Sequence, residues 1–192
     1  MIPFFVIFML LSIHAPGGAG IDALRASAFA GDPGARSFIV FRWISFAIFC
    51  IASFTDFLDG QIARRCNLVT DFGKFMDPLA DKLLVCSALI LLTAEGSLAS
   101  WIVILIIARE FIISGFRLVA ADNGIVIAAS WWGKFKTVSQ MLLCMVLILP
   151  RLPLMIGKGP VIALTAVAAA LTLISLFDYM KKNIRVITEG GM

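Results

Sequence analysis

Apolar residues fall into six runs along the chain: Ile2–Ile13, Phe38–Phe54, Leu79–Ala94, Leu98–Ala121, Ser130–Leu149 and Pro160–Met180. A helix that crosses a bilayer needs about 20 mainly apolar residues. The later runs suit that length, with Leu79–Ala94 as the core of a longer helix. The first has only twelve residues and reads as a membrane helix that is short or truncated. A secretory signal is its rival, but no Lys or Arg precedes it. Ala15–Ser37 is rich in Gly and Ala and holds Pro16 and Pro33, which predicts a loop. Glu95–Ser97 and Pro150–Gly159 are short linkers, as between antiparallel neighbours. The pattern predicts an all-α integral membrane protein with six transmembrane helices, forming one domain over residues 1–192.

Composition supports this. The chain is 61% hydrophobic with a mean hydropathy of +1.02, against roughly 45–50% apolar for a soluble domain. That is more apolar surface than one soluble core needs. The net charge is +4, and no basic run is long enough to form a nucleic-acid arm, so nucleic acid is not an expected partner. The cations report topology instead. Arg64, Arg65, Lys74 and Lys82 lie between the second and third runs. Arg117, Lys134 and Lys136 flank the link between the fourth and fifth. Lys181, Lys182 and Arg185 sit in the tail. The opposite loops hold only Arg25, Arg36, Arg151 and Lys158. The positive-inside rule then places the segment between the second and third runs, and both termini, in the cytoplasm of a multi-pass cell-membrane protein. Cys50, Cys66, Cys86 and Cys144 form no CxxC pair and His14 is the only histidine. These facts argue against a disulfide framework, a zinc site and a His-based triad.

One cytoplasmic stretch departs from the apolar pattern. Thr55–Lys82 carries Asp56, Asp59, Asp77 and Asp81. Asp56 and Asp59 are three apart and Asp77 and Asp81 four apart, so each pair shares a helix face. If the two segments fold back antiparallel, the pairs converge. Four close carboxylates repel one another unless cations neutralise them. All-oxygen ligands suit Mg²⁺ or Mn²⁺, and Mg²⁺ is typically shared between carboxylates and a phosphate substrate. Two such metals commonly serve displacement at phosphorus. Gly60, Ala63 and Gly73 add small residues where a helix or a flat ligand can approach. Pro78 fits either the first position of a helix capped by Asp77 or a kink within one. The bland alternative is a solvated charged loop. Phe57, Leu58, Phe72, Phe75, Met76 and Leu79 alternate with the charges, which suits helices with one polar face better.

The residues read D-x-x-D-G-x-x-A-R, then eight residues, then G-x-x-x-D-x-x-x-D: Asp56, Asp59, Gly60, Ala63, Arg64, Gly73, Asp77 and Asp81. This resembles the signature of the CDP-alcohol phosphatidyltransferases at every fixed position and both gaps. "ARRCNLVTDFGKFMDPLADKLLV", "AREFIISGFRL" and "WWGKFKTVSQM" are similar to the bacterial branch whose acceptor is glycerol 3-phosphate. The resemblance covers roughly Phe38 to Tyr179. It implies six transmembrane helices around a polar cavity open to the cytoplasm, usually in a homodimer. It implies that Asp56, Asp59, Asp77 and Asp81 border two divalent metals, Mg²⁺ or Mn²⁺, with Asp81 as general base. Asp56, Gly60, Ala63, Arg64 and Gly73 would bind the cytidine diphosphate group. The implied reaction is attack by the 1-hydroxyl of glycerol 3-phosphate on the β-phosphorus of CDP-diacylglycerol, releasing CMP and leaving phosphatidylglycerol phosphate in the bilayer. Family members usually carry a short amphipathic helix, with Asn, Thr and Arg, ahead of an Ile-Pro. This sequence starts at Met1-Ile2-Pro3, and the expectation is that this element is missing or the start lies further upstream.

Four cations are candidates for the acceptor phosphate: Arg109, Arg117, Lys134 and Lys136. Arg109 lies about 16 Å into the fourth run at 1.5 Å per residue. A cation at that depth is costly and tends to face a cavity or a partner. Glu110 is adjacent, but helix neighbours diverge by about 100°, so it need not be that partner. Arg117, Lys134 and Lys136 could instead be snorkelling positive-inside residues. Trp131 and Trp132 read as interfacial anchors. Arg42 could pair with a headgroup or a neighbouring helix, and Asp178 reads as an interface residue. Spacing alone leaves other acceptors open: phosphatidylglycerol, serine or inositol phosphate. A divalent-cation transporter is the reading from another class. It predicts acidic residues through the full bilayer, whereas these aspartates cluster on one side with Arg109 below them.

Overall fold

The computed structural model describes the backbone of residues 1–14, 36–66, 71–122, 131–150 and 152–189, with positions 23, 26 and 27; side chains are described for these except 56–66, 71–81, 118–119, 121–122, 154 and 184–189. The regular structure among the described residues is all helical. They form α1 (Ile2–Ile13), α2 (Arg36–Cys66), α3 (Asp71–Ala94), α4 (Ser100–Asp122), α5 (Trp131–Ile148), the short α6 (Leu152–Ile156) and α7 (Lys158–Glu189). A helix stands at each of the six apolar runs. The chain forms two compact units, Met1–Leu98 with Cys144–Gly159, and Ala99–Leu143 with Pro160–Met192.

In the first unit α1, α2 and α3 pack on one another. Pro3 lies in the first turn of α1, where its missing N–H breaks no helical bond. Phe5 and Met9 of α1 are fully buried, with the Phe5 and Phe49 rings 5.7 Å apart. On α2 the buried residues Phe38, Arg42, Ser45, Phe49 and Ala52 follow one another by alternate steps of four and three. On α3 Leu84, Ala88, Leu91 and Glu95 do the same. Such alternation keeps one stripe of a helix facing its neighbours.

α3 ends in a tight reversal. Ser97 N–H donates to the Leu92 carbonyl at 2.9 Å and Gly96 N–H to the Thr93 carbonyl at 2.9 Å. Gly96 sits at φ +83°, the left-handed conformation this closing motif needs. The reversal puts Glu95 at the end of the buried stripe. There it meets Arg42, whose side chain is wholly buried. Arg42 Nη2 donates to both carboxylate oxygens of Glu95, at 2.8 and 2.7 Å. Ser97 Oγ donates to Glu95 Oε1 at 2.5 Å. Arg42 Nη1 reaches the Met9 sulfur at 2.9 Å, and the guanidinium carbon stands 5.5 Å from the Phe38 ring centre. The partner of Arg42 is therefore a neighbouring helix and not a headgroup.

In the second unit the buried stripe of α4 is Ile102, Ile106, Arg109 and Ile113. That of α7 is Ala168, Thr172, Ser175 and Tyr179. α5 buries Lys136, Ser139, Gln140 and Leu143. Polar residues thus occupy the inward side of all three helices.

Among the described residues, two helices contain stretches long and apolar enough to cross a membrane, Arg36–Thr55 and Lys158–Asn183. Only 28% and 17% of their most apolar windows are buried within the protein. The core helix of a soluble protein would be mostly buried, whereas these expose Trp43, Ile51, Phe54, Ile162 and Phe177. Outward apolar surface of this extent suits a hydrocarbon environment.

Candidate active site

The aspartate motif stands on helices. Asp56, Asp59, Gly60, Ala63 and Arg64 belong to α2; Gly73, Asp77 and Asp81 belong to α3. Their side-chain positions lie outside the described residues. Their register does not. Continuing the steps of four and three along α2 from Ala52 leads to Asp56, Asp59 and Ala63. Running the α3 stripe back from Leu84 leads to Asp81 and then Asp77. The motif residues therefore occupy the helix faces that, one to several turns away, pack the first unit. Pro78 lies inside α3 and not at its start, so Asp77 and Asp81 belong to one helix. Its ring cannot donate to the carbonyl four residues earlier, which permits a local bend.

Among the described residues no group of three His, Cys, Asp or Glu side chains is placed to hold a metal. The motif offers four carboxylates and neither nitrogen nor sulfur. That donor set fits a hard divalent ion such as Mg²⁺ or Mn²⁺ and fits zinc poorly.

Side-chain geometry is described for all four candidate phosphate ligands. Arg109 is buried on α4. Its Nε donates to Ser175 Oγ of α7 at 3.1 Å, and its Nη1 lies 3.0 Å from Glu110 Oε1. Lys136 of α5, also buried, forms an ion pair with the same Glu110 oxygen. Glu110 is thus the partner its position next to Arg109 did not require: its side chain reaches both cations. Ser175 donates onward to the Thr172 carbonyl at 2.9 Å, and Gln140 donates to Thr172 Oγ1 at 3.1 Å. Among the described residues, the cations of Arg109 and Lys136 share the Glu110 carboxylate, and burial strengthens the interactions of all three charges.

Arg117 and Lys134 stand elsewhere. Both are exposed. The Arg117 guanidinium lies 5.8 Å from the Tyr179 ring centre, and Lys134 Nζ lies 4.4 Å from that of Trp131. Each cation meets the negative face of an aromatic ring. Asp178 pairs with Lys182 at 2.7 Å on the surface of α7. Sequence reasoning left Glu110 open and missed Ser175, Gln140 and Thr172. The available signal was their spacing: Thr172 and Ser175 are three apart, and Lys136 and Gln140 four apart.

The family description CDP-alcohol phosphatidyltransferase matches residues 1–177. A Bacillus subtilis protein named CDP-diacylglycerol–glycerol-3-phosphate 3-phosphatidyltransferase is 48% identical over 137 residues, 71% of each chain. A Mycobacterium tuberculosis protein named probable phosphatidylglycerophosphate synthase is 41% identical over 153 residues, covering 79% of this chain and 70% of that one. A Salmonella typhimurium protein with the same name as the Bacillus relative is 44% identical over 152 residues, covering 74% and 81%.

Proposed function

Because the chain belongs to the CDP-alcohol phosphatidyltransferase family, we propose that it transfers the phosphatidyl group of CDP-diacylglycerol to glycerol 3-phosphate, releasing CMP and forming phosphatidylglycerol phosphate. It is a transferase of phospholipid biosynthesis. The observation that carries the acceptor assignment is 48% identity to a relative whose name gives glycerol 3-phosphate as its acceptor.

Roles follow from residue chemistry. Asp56, Asp59, Asp77 and Asp81 would hold two divalent ions, Mg²⁺ or Mn²⁺, which would supply positive charge to offset that of the diphosphate and of CMP. Gly60, Ala63, Arg64 and Gly73, with Asp56, shape the cytidine diphosphate site. Asp81 accepts the proton of the attacking 1-hydroxyl as the new P–O bond forms and the bond to CMP breaks. Arg109 and Lys136 grip the acceptor phosphate, and Glu110 holds both in place beforehand. Arg117 and Lys134 complete the proposed set of cations for the acceptor phosphate, and their exposed charge favours anions. The cationic cluster supports a phosphorylated acceptor over serine.

The protein works as a multi-pass membrane protein with six spans around a polar cavity. The cavity faces the cytoplasm, the chain is one family domain over 1–192, and the active form is a homodimer in the bilayer. The Lys/Arg bias of the loops supports the orientation. The outward apolar faces of α2 and α7 support contact with lipid or a second copy.

CMP release by the purified protein in detergent with Mg²⁺ tests the reading. The expected result is release with glycerol 3-phosphate and little with inositol phosphate or no acceptor. Release that prefers another acceptor would overturn the substrate assignment, and no release with any acceptor would overturn the enzyme reading.

Arg109→Gln removes a cation able to bind phosphate through two donors. The expected change is a rise of about ten- to a hundredfold in the KM for glycerol 3-phosphate, from the roughly 1.5–3 kcal/mol of a charged hydrogen bond. The KM for CDP-diacylglycerol should move little. Equal changes in both would take Arg109 out of the acceptor site.

A further inference from the structure

We infer that the buried Arg42–Glu95 pair is a positioning device that sets the register of α2 against α3, and through it the meeting of the metal-binding aspartates. The inference rests on the proposed metal role of those aspartates. The pair lies far from them, at the opposite ends of both helices. Arg42 is 24 residues before Cys66, where α2 ends, and Glu95 is 24 residues after Asp71, where α3 begins. The pair is therefore symmetric about the connection between the helices.

The same symmetry carries to the motif. Asp56 is 14 residues beyond Arg42, and Asp81 is 14 residues before Glu95. At 1.5 Å per residue each arm is about 21 Å long. Two antiparallel helices pinned at Arg42 and Glu95 thus bring Asp56 level with Asp81. Asp59 then comes within one residue of level with Asp77. Other buried positions obey the same rule: Ser45 falls level with Leu92, Phe49 with Ala88 and Ala52 with Val85. A slip of one helical turn would move an aspartate pair about 5.4 Å, enough to take a carboxylate out of a metal's coordination sphere.

The chemistry of the pair suits a lock better than a generic contact. An apolar seam of Leu, Ala and Phe tolerates sliding by a turn, because one apolar step resembles the next. A guanidinium whose Nη2 is bonded to both oxygens of one carboxylate has one setting. Met9 of α1 and Ser97 of the closing turn add a contact from either side.

The test separates register from stability. Arg42→Leu/Glu95→Leu removes both charges together and leaves neither unpaired, so the variant should fold. Mn²⁺ binding is read by loss of the free-ion electron paramagnetic resonance signal in detergent, with Asp77→Asn as background. The expected result is a midpoint raised about tenfold or more, the scale seen when groups that orient metal ligands are lost. The charge-reversed Arg42→Glu/Glu95→Arg should recover part of that loss. A wild-type midpoint in the leucine pair overturns the inference. Absence of specific Mn²⁺ binding in the unaltered protein would instead overturn the metal reading. If the leucine pair yields no folded protein, Glu95→Asp keeps the charge and shortens the arm by one methylene. A raised midpoint there supports the lock, and an unchanged one overturns it.

Discussion

Asp81→Asn is expected to lower CMP release by about a hundred- to ten-thousandfold, the range associated with losing a positioned general base. The asparagine amide has nearly the shape of the carboxylate but cannot take the hydroxyl proton. It is also a poorer metal ligand, so the loss falls on turnover and on metal affinity together. Asp81 lies within α3, and the substitution breaks no helical hydrogen bond. The melting temperature without metal should therefore stay near that of the unaltered protein. Initial rates at saturating CDP-diacylglycerol and glycerol 3-phosphate, over a range of Mg²⁺, provide the check. Turnover restored to the normal level by high Mg²⁺ alone would leave Asp81 as a metal ligand and remove it as the base.

Glu95→Leu should be the most destabilising single change in the first unit. It leaves the Arg42 guanidinium wholly buried without its carboxylate, and Ser97 loses an acceptor. Removing one partner of a buried ion pair typically costs about 3–5 kcal/mol, because the remaining charge has neither water nor counterion. The leucine pair variant should be more stable than this single variant, since it strands no charge. Lys182→Ala is the useful contrast. Its pair with Asp178 joins a lysine side chain 62% exposed to a carboxylate 18% exposed, and a pair open to water on its lysine side contributes only about 0–1 kcal/mol. Thermal unfolding in one detergent should separate the three: a large drop for Glu95→Leu, a smaller one for the leucine pair, and almost none for Lys182→Ala. A drop for Lys182→Ala equal to that for Glu95→Leu would contradict the burial argument.

The stability question and the catalytic question meet in the same hairpin. Asp56 and Asp59 lie on α2, Asp77 and Asp81 on α3, and the pair that joins these helices is Arg42 with Glu95. On the proposed reading, the metal-binding aspartates stand toward one end of the two helices and the Arg42–Glu95 pair toward the other. In the second unit the arrangement is more compact: Glu110 places Arg109 and Lys136 side by side with no intervening lever.

Much of this was determined by the sequence alone. Six apolar runs predict helices because a chain so rich in apolar residues must satisfy its backbone hydrogen bonds internally, and a helix stands at each run. The aspartate signature is legible because its chemistry depends on residue identity at fixed local spacing, which a helix converts directly into a shared face. Partnership between distant residues is of another kind. Nothing in the spacing of Arg42 and Glu95, 53 residues apart, marks them as partners. Nor does adjacency reveal that Glu110 serves both Arg109 and Lys136, or that Pro78 continues a helix it is equally suited to begin. The two charge partnerships depend on which buried charges have no water to turn to. Desolvation makes an unpaired charge costly wherever the chain places it, and only the packing of helices against one another decides which opposite charge is near enough to answer it.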